Sequence, residues 1–483
     1  SLTLHEADRL FELLRKLRDQ GVTIVFVTHK LEEVMALCDV VTVLPARTSG
    51  RTSCPQVSIT PAVPNRVISR SCGPDGHLLV VPADAKPLLG GVLDPALFDV
   101  TGLIAQGYDD ASSTQIPLIV RYTDAAAAGN AASGRTAPGF TAGGDLGGRM
   151  SGRRALSSIR GVAGRQAKSD SARVRSALPQ LRRGASPGGI TRISLDRRVR
   201  AAPLAATGQV ADNLAQVMAP AAWAAGYTGR GVRVAVLDTG IDATHPDLAG
   251  KVVEAADFTG EGQPTGVDQV VDGNGHGTHV AATIAGSGTA SGGRYRGVAP
   301  DAQLVIGRVL DGSGEGSDSG LIAGMEWAAS RADVVNLSLG GWFADDGTDP
   351  MAVAVDTLSR QYGTLFVVAA GNSGPGDRSV TAPGSAASAL TVGAVDANDT
   401  LADFSSRGPL TGSGSLKPEI VAPGVDIVSA RATDLAVGRI IDARYTAASG
   451  TSMATPHVAG AAALLAQQHA DWPGGQLKAA LVA

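Results

Sequence analysis

The chain contains the segment Gly450-Thr451-Ser452-Met453-Ala454-Thr455-Pro456-His457-Val458-Ala459-Gly460. It begins with glycine and small polar residues and becomes apolar, a pattern that predicts a loop turning into a buried helix. Ser452 is therefore expected at a helix start, among backbone N–H groups that lack intrahelical partners. Their partial positive charge can stabilise an oxyanion formed when a hydroxyl attacks a carbonyl. Taken alone, Gly-Thr-Ser is more often an ordinary capping turn.

Two further segments supply an acid and a base. Val232-Arg233-Val234-Ala235-Val236-Leu237-Asp238-Thr239-Gly240 is an apolar run that predicts a strand buried in a parallel sheet, with the carboxylate of Asp238 at its end. Asn274-Gly275-His276-Gly277-Thr278-His279-Val280-Ala281 places His276 among small residues just before a predicted helix. A hydroxyl, an imidazole that takes its proton and a carboxylate that holds the imidazole form a catalytic triad. The chain contains these groups in the order Asp238, His276, Ser452.

These segments resemble the subtilisin family of serine endopeptidases, the subtilases. The resemblance covers about residues 220–483 and implies that Asp238, His276 and Ser452 are the charge-relay residues. It also implies that Asn372, at the end of the apolar segment of residues 366–374, donates its amide to the developing oxyanion together with the backbone N–H of Ser452. Outside this context, an asparagine after a strand is a common turn residue.

The same resemblance predicts the residues that bind substrate. A second apolar segment, residues 334–341, runs into glycines that leave backbone free to pair with an extended peptide. The residues implied here are Ser338, Leu339 and Gly340, which pair with the substrate, and Ala369, Ala370 and Gly371, which form a wall of the pocket for the P1 side chain. Small side chains in this wall predict room for a large P1 residue.

The remaining histidines of these segments are interpreted as structural. His279 lies one helical turn after His276, and His245 and His457 also lie outside the catalytic positions, so packing or hydrogen-bonding roles are predicted. Calcium commonly stabilises subtilases, but residues 287–295 contain no carboxylate or amide side chain. We therefore expect no cofactor, and we assign no metal ligands.

Predicted strands and helices alternate in this part of the chain. Strands are expected near residues 232–237, 304–309, 334–339, 365–370 and 390–395, with helices near residues 319–331 and 350–361. This alternation predicts an α/β fold with a mainly parallel sheet flanked by helices, and a site at the carboxyl ends of the strands. A further helix is expected to begin near Gln476.

The N-terminal residues differ from the rest. Residues 1–45 predict a small αβαβ piece that resembles the C-terminal end of an ABC-transporter ATP-binding domain, with Ser1-Leu2-Thr3 similar to the D-loop and His29 similar to the switch histidine. No G-x-x-x-x-G-K-[ST] phosphate loop occurs in the chain, so a working ATPase is not expected. The hypothesis favoured by this mismatch is a chimeric junction near residues 45–53.

Two segments precede the predicted peptidase domain of residues 206–483, which we expect to be C-terminally truncated. Residues 46–123 resemble the propeptide of large secreted subtilases, a region that assists folding, inhibits the enzyme and is cleaved away. Residues 124–205 are rich in alanine, glycine, serine and arginine and predict a solvated linker. A basic nucleic-acid-binding arm is the alternative, but no aromatic residues lie among the arginines. Maturation cleavage is expected near residues 200–223.

Composition is compatible with this assignment. The 483 residues carry a net charge of −4, and no apolar run approaches the roughly 20 residues needed to span a membrane. All three cysteines, Cys38, Cys54 and Cys72, precede the peptidase domain, and no disulfide framework is expected. No signal peptide is recognised, so an extracellular location rests on the resemblance.

The sequence therefore predicts a monomeric serine endopeptidase that acts on proteins or peptides, without a nucleic-acid partner. Two alternatives remain. One is an inactive truncated or chimeric product with a protease fold. The other, more remote, is an ATP-binding transport component.

Overall fold

The computed structural model describes residues 40–43, 57–60, 67–73, 76–134, 150–170, 181, 189–201, 204–205, 213–260, 269–435 and 437–483. The chain divides into two compact units, one within residues 1–153 and 162–195 and the other within residues 154–161 and 196–483. The helices and the first strand predicted for residues 1–39, including His29, lie outside the described residues, as do Cys38 and Cys54.

The elements between Val40 and Leu195 are mostly short strands. They are β1 (Val40–Val43), β2 (Val57–Thr60), β3 (Ile68–Cys72), β4 (Leu78–Pro82), α1 (Val100–Ala105), β5 (Gln115–Tyr122), α2 (Ala125–Ala132), β6 (Ser151–Leu156), β7 (Gly161–Ala167) and β8 (Ile190–Leu195). A four-stranded sheet has the order β6-β7-β5-β8, while β1 pairs with β2 and β3 with β4. Phe98, Leu93 and Ile193 are among the buried residues of this unit's core.

Two sequence-based expectations are wrong in this region. The range predicted as a solvated linker contains β6, β7 and β8. Its apolar side chains, among them Met150, Val162 and Ile193, are sparse along the sequence but join the same buried core as Leu93 and Phe98. Cys72 is disulfide-bonded, although the cysteine spacing gave no reason to expect a pair.

The second unit contains the remaining elements. They are β9 (Arg198–Arg200), β10 (Leu204–Ala205), α3 (Asn213–Gln216), α4 (Ala219–Ala224), β11 (Arg233–Asp238), β12 (Val252–Asp257), α5 (His276–Ala285), β13 (Gln303–Arg308), β14 (Glu315–Ser317), α6 (Asp318–Ala329), β15 (Val334–Leu337), β16 (Gly340–Gly341), α7 (Pro350–Tyr362), β17 (Leu365–Ala369), β18 (Leu390–Val395), β19 (Ile420–Pro423), β20 (Ile427–Ala430), β21 (Arg439–Ile440), β22 (Tyr445–Ser449), α8 (Thr451–Gln468) and α9 (Gly474–Val482).

A parallel sheet of seven strands forms the centre of this unit, in the order β12-β13-β11-β15-β17-β18-β19. The predicted strands coincide with β11, β13, β15, β17 and β18, and the predicted helices with α6, α7 and α9. Strands β15, β17 and β18 are buried along their whole length, as expected for apolar strands covered on both faces. The predicted α/β fold with a mainly parallel sheet is confirmed.

Helix boundaries follow ordinary capping chemistry. The Ser317 side chain accepts a hydrogen bond from Gly320 N at the start of α6, and the Asp349 side chain accepts one from Met351 N at the start of α7. Gly363 ends α7 in the left-handed conformation that glycine adopts without strain. These caps fix where α6 and α7 begin, beside the cleft described below.

Two small sheets lie at the carboxyl ends of the parallel strands. In one, β9 lies between β14 and β16 and is antiparallel to both. In the other, β22 pairs with β20, β21 and β10, all antiparallel. Because β22 leads through Gly450 into α8, the second sheet holds the approach to Ser452.

Among the described residues, no helix is long and apolar enough to span a lipid bilayer.

Candidate active site

The carboxylate of Asp238 and the imidazole of His276 are in direct contact. Asp238 is the last residue of β11, and His276 is the first residue of α5. The Nδ1 atom of His276 lies 2.7 Å from Asp238 Oδ1, and both side chains are almost completely buried. The other ring nitrogen, Nε2, is buried and has no hydrogen-bond partner among the residues that the structure describes. A carboxylate on Nδ1 holds the ring in the tautomer whose Nε2 accepts a proton.

Ser452 is the second residue of α8 and is 3% exposed. Its hydroxyl donates to the carbonyl of Ser338 at 2.9 Å, while the hydroxyl of Ser338 donates to the carbonyl of Ser452 at 2.9 Å. Gly450 has a φ of 151°, which lets β22 turn into the helix in a conformation that other residues rarely adopt. The predicted nucleophile therefore lies at a helix start, with its hydroxyl directed to a backbone carbonyl.

The side chain of Asn372 is oriented by Thr451. Its Oδ1 accepts hydrogen bonds from Thr451 N and Thr451 Oγ1, both at 2.9 Å. Because a backbone N–H only donates, the atom facing it must be the amide oxygen, and the NH₂ group lies on the other side. Asn372 and Ser452 line the same cavity. The amide is thus arranged to donate in the vicinity of the Ser452 hydroxyl.

That cavity has a volume of about 290 Å³. It contains most of the predicted substrate-binding residues. Leu339, Gly340, Ala369 and Gly371 line it, whereas Ser338 and Ala370 are fully buried and do not line it. The amide of Ala370 instead continues the central sheet by donating to Val392 O at 3.0 Å.

A buried carboxylate that the sequence analysis missed holds the His276 turn. Asp272 Oδ1 accepts hydrogen bonds from the backbone of Asn274 and Gly275 and from Thr239 Oγ1, and Asp272 Oδ2 accepts from Thr278. Thr239, directly after Asp238, also accepts a hydrogen bond from Gly277 N at 2.9 Å. The two catalytic candidates are therefore tied together through their neighbours. A signal was present, since an aspartate before a glycine-rich turn commonly accepts its N–H groups.

Gly277 shows why small residues surround His276. A Cβ atom at this position would lie 2.2 Å from the carbonyl oxygen of Gly240. Only glycine permits this approach of α5 to the end of β11, and the approach brings His276 to Asp238.

The other histidines make structural hydrogen bonds. His279 Nε2 lies 3.0 Å from Ile427 O, and burial lowers the pKa of His279 to about 3 even though this carbonyl favours the protonated form. His457 Nδ1 lies 2.8 Å from Met453 O, and burial lowers the pKa of His457 to about 4. His245 Nε2 lies 3.0 Å from Arg444 O. Both nitrogens of His457 are engaged, because Asn213 Nδ2 lies 2.6 Å from its Nε2.

Within the part of the chain that the structure describes, no three His, Cys, Asp or Glu side chains are grouped so that they could hold an ion. In the loop after α5, Ser287 Oγ and Thr289 Oγ1 are hydrogen-bonded to each other. The side chains of this loop include no carboxylate or amide, and no metal ligand is assigned to it.

Comparison with known proteins identifies relatives of the second unit. Serine protease AprX of Bacillus subtilis is 40% identical over an alignment of 274 residues, and the match covers 52% of this chain and 60% of that protein. Subtilisin Savinase of Lederbergia lenta is 43% identical over 266 residues, which are 55% of this chain and 87% of that protein. Subtilisin E of Bacillus subtilis is 40% identical over 268 residues, and the chain covers 63% of it. The chain thus spans a little under two thirds of several of its relatives.

Among solved structures, a cold-adapted subtilisin-like serine proteinase is 37% identical, with a TM-score of 0.43, and the match covers 53% of this chain and 82% of that one. The subtilase family model matches residues 229–483, which are just over half of the chain and include Asp238, His276, Asn372 and Ser452. The chain belongs to the subtilase family.

Proposed function

We propose that this protein is a serine endopeptidase that cleaves proteins or peptides through an acyl-enzyme, with Asp238, His276 and Ser452 as the triad. The observation that carries the proposal is the buried Asp238–His276 pair at 2.7 Å, in which His276 Nε2 has no hydrogen-bond partner within the described part of the chain. A buried imidazole nitrogen with no partner is costly unless a substrate or nucleophile uses it. Family membership supports the same reaction.

In the proposed mechanism, the Ser452 hydroxyl turns from the Ser338 carbonyl towards His276 Nε2. Its oxygen bonds to the substrate carbonyl carbon while its proton moves to Nε2. The resulting oxyanion accepts hydrogen bonds from Ser452 N–H and the Asn372 amide. The imidazolium then protonates the leaving amine as the C–N bond breaks. Water repeats the sequence on the ester, releasing the acid and restoring the Ser452 hydroxyl.

We also propose that the residues before about 206 act as an inhibitory pro-region. The support is the position of β9, which lies as a strand between β14 and β16, and of β10, which pairs with β22 next to Ser452. An extended peptide added to these edges is the expected form of a bound substrate. The chain's own segment therefore blocks access to the serine until it is cleaved and released. By the same family resemblance, we propose that the protein acts outside the cell.

Fluorophosphonate labelling of the purified chain tests the proposed activity, with Ser452→Ala as the control and intact mass as a second readout. We expect one label per chain that is lost in Ser452→Ala, together with loss of roughly two hundred N-terminal residues. An unlabelled but folded chain would favour the alternative of an inactive protease-fold product. The ATP-binding alternative has no support from the family match, which lies at residues 229–483.

A further inference from the structure

The groove between β14 and β16, which we call the cleft, is filled by a basic segment of the chain. Residues 197–200 read Arg-Arg-Val-Arg, and three of them form β9. Arg200 is paired with both Glu315 and Gly340, and Ala201 N continues the ladder by donating to Gly314 O at 3.0 Å. The backbone of this segment is thus held on both sides, and its side chains alternate between the two faces of the strand.

Each arginine of the segment has a partner on the cleft. The guanidinium of Arg200 lies 3.9 Å above the ring centre of Trp342, which directly follows β16. Arg198 Nη1 lies 2.6 Å from Glu315 Oε2, and both side chains of this pair are partly exposed. Between the two, Val199 is fully buried. An indole ring and a carboxylate both attract cations. Trp342 and Glu315 therefore favour positively charged side chains in the cleft.

The strongest charge complementarity surrounds Arg197. Its Nη1 lies 2.9 Å from Oδ2 of Asp349, whose side chain is completely buried. Burial, together with the negative charge of Asp349, raises the pKa of the nearby Asp318, and Arg197 opposes this rise. Burial likewise raises the pKa of Asp345, where Arg197 also acts in the opposite direction. When the segment leaves, these buried carboxylates lose their nearby arginine.

We propose that the cleft selects substrates that carry arginines at the positions taken by Arg197, Arg198 and Arg200, with Asp349, Glu315 and Trp342 as the residues that determine this preference. The inference rests on the proposed endopeptidase function and specifies its substrate class: peptides with a basic stretch before the scissile bond. A peptide that places a neutral residue beside Asp349 loses an ion pair to a buried carboxylate, so it should bind more weakly than a peptide with arginine at this position.

The first experiment uses the purified chain after it has lost its N-terminal residues by its own cleavage, as checked by intact mass. A synthetic peptide of residues 196–205 is then measured as an inhibitor of the cleavage of fluorescent casein. Replacing Arg200 by alanine in the peptide should weaken inhibition about 3- to 10-fold. Replacing Arg198 should weaken it about 2- to 5-fold, and replacing Arg197 by at least about 30-fold. Equal potency of all four peptides would overturn the proposal.

Protein variants assign each preference to its residue. In Trp342→Ala the parent peptide and its Arg200→Ala form should inhibit equally, and in Glu315→Gln the same should hold for Arg198→Ala. Asp349→Asn keeps a side chain that can cap α7 and should remove the preference for Arg197. Glu254→Gln, on the edge strand β12, changes an acidic residue paired with Arg233 and Arg331 and should leave every ratio unchanged. Ratios that persist in the cleft variants would contradict the assignment.

A second measurement does not require activity. In the Ser452→Ala full chain, trypsin should cut slowly after Arg198 and Arg200, because both are paired in β9. Trp342→Ala and Glu315→Gln should accelerate these cuts several-fold, whereas Glu254→Gln should not. Unchanged protection in both cleft variants would refute the recognition of these arginines. Missing fluorophosphonate labelling would refute the proposed activity alone, so the two failures are distinguishable.

Discussion

The Nδ1 atom of His276 lies 2.7 Å from Oδ1 of Asp238, at the point where α5 meets the end of β11. The same Oδ1 accepts a hydrogen bond from Thr239 N, while no described residue forms a hydrogen bond with Oδ2. The carboxylate therefore has one main task in the described structure, which is to orient and stabilise the imidazole.

Replacing this carboxylate by an amide should lower kcat by about 10⁴-fold, because the ring is then held in the wrong tautomer. The change is Asp238→Asn, which keeps the size of the side chain. Steady-state hydrolysis of a peptide substrate measures the loss, and circular dichroism checks the fold. A variant that retains a tenth of the activity would contradict the assignment of Asp238.

Asn372→Ala should lower kcat about 100- to 1,000-fold with little change in KM, since an oxyanion donor acts mainly in the transition state. Because Thr451 Oγ1 orients the amide, Thr451→Val should produce a smaller loss of the same kind, and Thr451→Ser should restore activity. The two losses should not add in the Asn372→Ala, Thr451→Val double variant. Additive effects, or a change confined to KM, would show that Thr451 acts in another way.

The sequence predicted the central parallel sheet because most of its strands are continuous apolar runs. β17 is apolar throughout, and β15 is apolar except for Asn336. The triad residues lie within short segments that can be recognised locally. β9 and β10 could not be predicted in this way. They are only three and two residues long, which is too short for a strand pattern to be recognised, and they exist because distant strands pair with them.

The same limit explains what the sequence analysis missed in the site. Asp272 and Trp342 act through partners that are close only in the folded chain, Thr239 for the first and Arg200 for the second. The N-terminal strands β6 and β7 were missed because their core is completed by larger residues from other elements. Local composition carries little information on such contacts.

The free energy of unfolding should decrease at acidic pH, because His279 and His457 bind protons less readily in the folded chain than in the unfolded one. Their folded pKa values, about 3 and about 4, lie below the ordinary value of 6.5, so the unfolded chain binds more protons between these limits. Their contribution is complete above pH 6.5 and is lost as pH falls towards 4, at up to about 1.4 kcal/mol per pH unit for each histidine.

Urea unfolding of the Ser452→Ala chain at several pH values between 7 and 4.5 measures this slope without self-digestion. His279→Gln should flatten it, because glutamine can still donate to Ile427 O but does not titrate. An identical slope in the variant would mean that His279 does not contribute to the acid sensitivity.

Gly277→Ala adds only one methyl group but should disrupt the site. The new methyl group would meet the Gly240 carbonyl at 2.2 Å, and backbone on both sides must move. We expect a loss of about 1–3 kcal/mol in unfolding free energy and a larger loss of kcat, because His276 moves with its neighbour. Gly475→Ala is the matched control, since a methyl group there meets no atom within 4 Å. That variant should be neutral or slightly stabilised; equal effects at both sites would contradict the steric argument.

Salt should weaken the preference for arginine beside Glu315 more than the preference for arginine beside Asp349. Arg198 and Glu315 are 43% and 33% exposed, whereas the Asp349 side chain beside Arg197 is completely buried. Mobile ions screen exposed charges over about 10 Å at 0.1 M salt and over about 3 Å at 1 M, but they screen a buried pair much less. Raising the salt concentration from 0.1 M to 1 M should therefore abolish the preference for arginine at the Arg198 position while most of the preference at the Arg197 position remains.

The peptide inhibition assay measures both ratios in the same samples. Of the exposed contacts, the one between Arg200 and Trp342 should change least, because stacking relies partly on dispersion. Equal loss at all three positions would show that the cleft senses the total charge of the peptide and not the individual arginines.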